Sequence, residues 1–187
     1  MTYADDPPVK ALLARIDELG SDVPAIGHAI AELAQDEEYF APLIAQLAPD
    51  DMGVIGLHMP ERGPRLFLFH RPRGVMSYIH SHGTWAVIAP VRGVETHRRY
   101  EVSDLEPDGR AAIVVAEELH LRPGDAAAIT PPGDIHSHGH DGGDGEPAYV
   151  LIMTGDDQLQ FPRREYDAAA GTYRDLPPGE FGQLNLP

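Results

Sequence analysis

The stretch GVMSYIHSHGTWAVIAPVRG, residues 74 to 93, places two histidines one residue apart between two glycines. On an extended strand, residues two apart share a face. His80 and His82 therefore project together, with Thr84 and Ala86 continuing the row. Two neutral imidazoles side by side make half of a metal site. The stretch GDAAAITPPGDIHSHGH, residues 124 to 140, offers the third ligand. There Gly124 starts a turn, a strand follows, and Pro131-Pro132-Gly133 delivers His136 onto a further strand. His80, His82 and His136 are the expected metal ligands.

Outward from these histidines, the chain from residue 52 alternates short apolar runs with Pro/Gly turns. GVIGLHM, RLFLFHR, SYIHSH, TWAVIAPV, ETHRRYEV, AAIVVAEE, DAAAIT and AYVLIMT read as strands. PERGP, HRPRG, EPDG, RPGD, PPGD and DGGDGEP separate them. About eight short strands with frequent turns predict an all-β sandwich or barrel, such as a double-sheet jelly roll. Residues 8 to 48 read instead as helices. Val9, Leu12, Leu13, Ile16 and Leu19 recur at helical spacing between Pro8 and Gly20, and Val23, Ile26, Ile30 and Leu33 repeat the pattern after Asp22. A third stripe, Phe40, Leu43, Ile44 and Leu47, ends at APDDMG. These stripes are expected to pack on the barrel. At 187 residues one domain is expected, with a helical segment at 1–50, a β-barrel at 51–157 and a C-terminal extension at 158–187 that wraps the barrel or serves an oligomer contact.

Composition removes several classes of function. The chain has no cysteine, which leaves histidines and carboxylates as metal-binding groups. Its net charge of -16 repels phosphate backbones and anionic membranes, so neither nucleic acid nor a membrane is an expected partner. No apolar run approaches the roughly 18 residues of a spanning helix, and the expectation is a soluble, cytoplasmic protein. No serine nucleophile elbow, phosphate-binding loop or HExxH helix appears.

Both histidine blocks resemble the cupin motifs. Gly74, His80, His82 and Gly93 fall on the first, with Ala86 in its glutamate slot. Gly124, Pro131, Gly133 and His136 fall on the second, one residue longer than usual in its first gap. The pair lies in order and about 50 residues apart, and implies a cupin double-stranded β-helix, a jelly-roll barrel with an N-terminal helical segment. Loss of the glutamate, and the run HSHGTWAVIAPVRGVETHRRYE, are similar to thiol dioxygenases of the cysteine and mercaptopropionate type. That resemblance implies Fe(II) held by three histidines, a small-molecule substrate, dioxygen as co-substrate and a sulfinic acid product. Three imidazoles also accept Ni, Zn, Co or Cu. Cleavage of a carbon–carbon bond in a diketone-like substrate, and metal or ligand binding without turnover, are the other readings of the same motifs.

The chain departs from that family in two places. No histidine follows His140, so the strand AYVLIMT cannot supply the histidine of the family's Ser-His-Tyr set. GVIGLHM carries no arginine for a substrate carboxylate, and Arg65, Arg71, Arg73 and Arg99 are the alternatives. Tyr78, His97 and Arg99 are the candidate catalytic residues. Tyr78 shares the face of His80, while Glu95, His97 and Arg99 alternate on the next strand, either as cross-strand pairs on a solvated face or as a polar lining of the pocket. His138 and His140 run into a glycine loop and are expected to be solvated, and Trp85, of opposite parity to the ligands, is expected against the helices. Exposed strand edges and the long tail are compatible with a homodimer.

Overall fold

The computed structural model describes residues 3–180. Three helices come first: α1 (Pro7–Leu19), α2 (Val23–Ala34) and α3 (Glu37–Ile44). Asp22 and Asp36 cap the second and third, their carboxylates accepting from the N–H of Ala25 at 3.1 Å and of Tyr39 at 3.0 Å. Each cap satisfies an N–H that has no partner within the helix.

Eleven strands follow: β1 (Gly53–His58), β2 (Arg65–His70), β3 (Ile79–His80), β4 (Ala86–Arg92), β5 (Glu95–Ser103), β6 (Ala112–Leu121), β7 (Ala127–Ile129), β8 (His136–Gly139), β9 (Tyr149–Thr154), β10 (Arg163–Asp167) and β11 (Thr172–Leu176). One sheet has the order β1-β2-β9-β4-β7 and the other β11-β10-β3-β8-β5-β6, with every pairing between strands antiparallel. Apart from the hairpins β1–β2, β5–β6 and β10–β11, consecutive strands cross between the two sheets, and the architecture is a jelly-roll, double-stranded β-helix barrel. The expected strand SYIHSH contracts to Ile79–His80. The chain bends at Gly83, whose φ of +69° a side chain would resist. The extension expected at 158–187 contributes β10 and β11, and β10 pairs with β3 so that Glu165 stands opposite His80. Its last residues, 181–187, lie outside the described residues.

Strand alternation divides the apolar core in two. Val87, Ala89, Val91, Leu151 and Met153 face outward from the first sheet and pack against Ile26, Ile30 and Phe40 of the helices, with Trp85 at the margin of this cluster. Ile88, Val150 and Ile152 face the other way, into the barrel, with Phe67, Phe69, Leu119 and Leu121. Full burial of such a side chain contributes about 1.5–3 kcal/mol, so this packing holds the helices on the outer face of the first sheet. The motif glycine Gly93 has a φ of +83°, and a Cβ there would stand 2.5 Å from the Pro147 carbonyl oxygen. Only glycine fits this turn. Among the described residues, no helix is long and apolar enough to cross a membrane.

Candidate metal centre

His80 comes from β3, His82 from the bend after it and His136 from the start of β8, paired with His80 across the sheet. Asp134 fixes this arrangement. Its buried carboxylate accepts the N–H of His82 at 2.8 Å and of Gly83 at 2.9 Å, and it stands two residues before His136. One side chain thus ties the first ligand block to the second.

The three Nε2 atoms converge. Those of His80 and His136 each lie 2.9 Å from that of His82, and these three residues form a group that could hold a metal. All three rings are buried. Burial, reinforced for His82 by the Arg163 and His97 charges, brings its pKa down to about 3. Burial and the neighbouring histidines hold His80 and His136 well below the ordinary imidazole value. The rings are therefore neutral at pH 7. His80 Nδ1–H donates to the Tyr78 carbonyl oxygen at 3.0 Å, which leaves its Nε2 as a bare lone pair.

Bare lone pairs at this distance would repel, and either a proton on His82 Nε2 or a cation between the rings removes that repulsion. Imidazole nitrogens bind metals at about 2.0–2.1 Å, and three held at right angles about one ion would be about 2.9 Å apart, against about 3.4 Å for tetrahedral ligands. The two spacings to His82 match neighbouring positions on an octahedral metal more closely than tetrahedral ones. Ala86 is fully buried, with the same strand parity as Ile88, so the position equivalent to the motif's glutamate offers no carboxylate.

A second layer of polar groups surrounds the three rings. His97, on β5, places Nε2 2.9 Å from His136 Nδ1. With His136 Nε2 turned to the centre, its Nδ1–H donates to His97, fixing the ring's orientation. His97 Nδ1 then carries its own proton and is buried without a partner among the described residues. Burial and the Arg99 charge lower the His97 pKa to about 4.

His138 and His140 are not solvated: they are 4% and 3% exposed. β8 continues through His138, whose Nδ1 lies 2.7 Å from a Glu95 carboxyl oxygen, while Arg71 Nη1 lies 3.1 Å from Nδ1 and 3.3 Å from Nε2. Glu95 and His97 point into the barrel instead of lying on a solvated face, and burial, opposed by Arg71, pushes the Glu95 carboxyl up to about 8. Arg99 is different. Its side chain is 47% exposed at the rim, with Nε 3.4 Å from a Glu117 carboxylate oxygen.

Tyr78 lies beside His80, with ring centroids 4.7 Å apart. Burial raises the pKa of its phenol, opposed by the nearby Arg163 charge. Arg163, on β10, was not among the arginines expected from sequence; it is 3% exposed and has no carboxylate partner among the described residues. Of the arginines that were, Arg65 pairs with Asp157 at 3.0 Å and Arg73 donates to the Gly143 carbonyl at 2.8 Å, both away from the histidines. Strand parity was the available signal for His138, which stands two residues from His136. Arg163 had none, since its segment carried no strand expectation.

No protein-family model matches the chain, and no curated protein matches it. Among solved structures it is similar to a DMSP lyase from Ruegeria pomeroyi DSS-3, at 15% identity over 84% of this chain and 95% of that one, with a TM-score of 0.48. A cupin superfamily protein from Desulfitobacterium hafniense DCB-2 gives 14% identity over 62% and 89%, with a TM-score of 0.44. A cupin-like protein from Thermotoga maritima gives 17% over 67% and 96%, with a TM-score of 0.42. These are likenesses of fold.

Proposed function

We propose that this chain is a non-haem Fe(II) dioxygenase that oxidises a small anionic thiol to a sulfinic acid. The observation that carries the reading is the convergence of three neutral imidazole nitrogens with alanine in the glutamate slot. When bound, a divalent iron would keep its full charge and open positions for a thiolate and for dioxygen, both of whose oxygen atoms pass to sulfur.

The surrounding residues have separable tasks. Arg163 is a buried cation whose Nη2 donates to the Glu180 carbonyl oxygen and whose Nε is unpartnered; it is close enough to lower His82, and it is suited to the negative charge of a substrate held at the histidines. Tyr78 keeps its proton and can donate it to the same anion. His97 holds His136 in register from behind. Phe67, Phe69, Ile88 and Ile152 keep the opposite wall dry, which strengthens each of these electrostatic contacts.

The test is oxygen uptake by anaerobically Fe(II)-loaded protein offered mercaptopropionate, cysteine, cysteamine and a diketone, with His82→Ala as the blank. Uptake with one thiol, matched by a sulfinate product, is expected. Uptake with the diketone alone would move the reaction to carbon–carbon cleavage. Silence from protein verified to hold iron would remove the thiol assignment.

A further inference from the structure

The barrel is not closed along one seam. β6 ends the second sheet and β7 ends the first, and among the described residues no pairing joins them. Between them lies a cleft of about 400 Å³, bounded by His97, Arg99, Glu117, Leu119, Ile129 and the turn at Pro131–Gly133. Cross-strand partners share a face, and Leu119 opposes His97 while Glu117 opposes Arg99, so the cleft is lined by the inward row of both strands.

Three features make it a ligand site rather than a packing gap. Its floor is apolar, from Leu119, Ala127 and Ile129. Its rim carries the guanidinium of Arg99, engaged among the described residues by a half-exposed carboxylate at 3.4 Å, a contact that an incoming anion can replace. Its wall includes His97, whose Nε2 is taken by His136 and whose Nδ1 has no partner. A volume of this size is in the range of cavities that enclose whole organic ligands, and it exceeds what a mercapto acid with half a dozen heavy atoms would fill.

We propose that the seam cleft binds the apolar body of a carboxylate ligand, with Arg99 and the His97 Nδ1–H as its polar contacts. The tautomer that makes Nδ1 a donor rests on His136 giving its Nε2 to a metal, and to that extent the inference rests on the proposed function. It deepens that reading: the substrate is an organic acid with a chain or ring attached, not the shortest mercapto acid. Contact with His97 also couples the cleft to His136.

The experiment measures the binding of hexanoate, hexanol and acetate to the full chain by calorimetry, with and without Co(II), whose absorption bands report the three-histidine site. Hexanoate is expected to bind more tightly than either hexanol or acetate and to shift the cobalt bands. Leu119→Trp, which fills the cleft from an edge strand, is expected to lose hexanoate binding while keeping the cobalt bands. Arg99→Gln is expected to weaken hexanoate roughly tenfold and leave hexanol unchanged. Absence of heat from protein that shows the cobalt bands would overturn the proposal, as would undiminished affinity in a folded Leu119→Trp protein. Hexanoate binding that responds to Leu119→Trp in protein lacking cobalt bands would support the cleft and sink the metal reading instead.

Discussion

The first sheet presents Phe67, Phe69, Ile88, Val150 and Ile152 to the lumen, whereas the second presents Glu95, His97, His136 and His138 to the same space. On the first sheet, burial of these side chains stabilises the fold at about 25 cal/mol per Å². On the second, burial costs free energy, because polar groups lose water and recover only part of it in hydrogen bonds. The five inward histidines, His80, His82, His97, His136 and His138, are all buried, and all are pushed away from the charged form. A fold carries such a wall where something else repays the cost, and the three converging ring nitrogens are suited to a cation as that compensation.

The comparison breaks first at its polar side. His136→Ala removes one of three ligands and the ring that His97 supports, and it is expected to abolish metal retention through dialysis, read as metal per chain by elemental analysis. Metal at a thousandfold excess over its dissociation constant stabilises by about 4 kcal/mol. The wild-type chain should gain a metal-dependent rise in melting temperature that the variant lacks.

Acid tests the same wall without mutation. Folded-state pKa values of about 3 for His82 and about 4 for His97 lie below the ordinary 6.5. A group lowered in this way contributes stability that is present above its unfolded value and is lost as pH falls toward its folded one. Between about pH 7 and pH 5 each of the two should cost the metal-free chain about 2 kcal/mol, or about 4 kcal/mol together. Urea midpoints across this range measure the loss. A flat profile would mean that the rings take up protons in the native state as they do in the unfolded chain.

The apolar wall should respond in the opposite sense. Ile88→Ala, at a residue 1% exposed, leaves a cavity and is expected to cost about 2–5 kcal/mol in urea denaturation with metal stoichiometry unchanged. Loss of metal along with stability would show that the two walls are not separable.

How much of this division was legible in the sequence depended on what each signal encodes. The spacing of His80 and His82, and the Gly-Pro-Gly frame before His136, specify backbone turns and so located the ligands before any fold was known. The apolar stripes of the helices were equally plain. Alternation in ETHRRYEV assigns Glu95, His97 and Arg99 to one face but does not say whether that face is inside, because the inward side depends on which strands close around it. His138 and His140 read as loop because of the glycines beside them, although β8 continues through His138, and Gly139 takes a φ of +145° between Val75 and Met76. Arg163 was invisible: its burial comes from β10 pairing with β3, a contact across more than eighty residues of chain.

His97 joins the two walls and gives the subtlest test. It stands on the polar sheet, opposes the apolar Leu119 on β6, and touches the metal centre only through His136. A group that orients a ligand in this way is typically worth about 10- to 100-fold in metal affinity. His97→Phe keeps the ring's volume and removes the acceptor for His136 Nδ1–H, so affinity for Co(II) is expected to fall by about that factor while the urea midpoint rises or holds, since a neutral buried imidazole has been replaced by a hydrocarbon. His97→Gln, which can accept the same hydrogen bond, should restore part of the affinity without that gain in stability. If both variants bind cobalt as the wild type does, His136 is oriented by packing alone, and the polar wall reduces to the three ligands themselves.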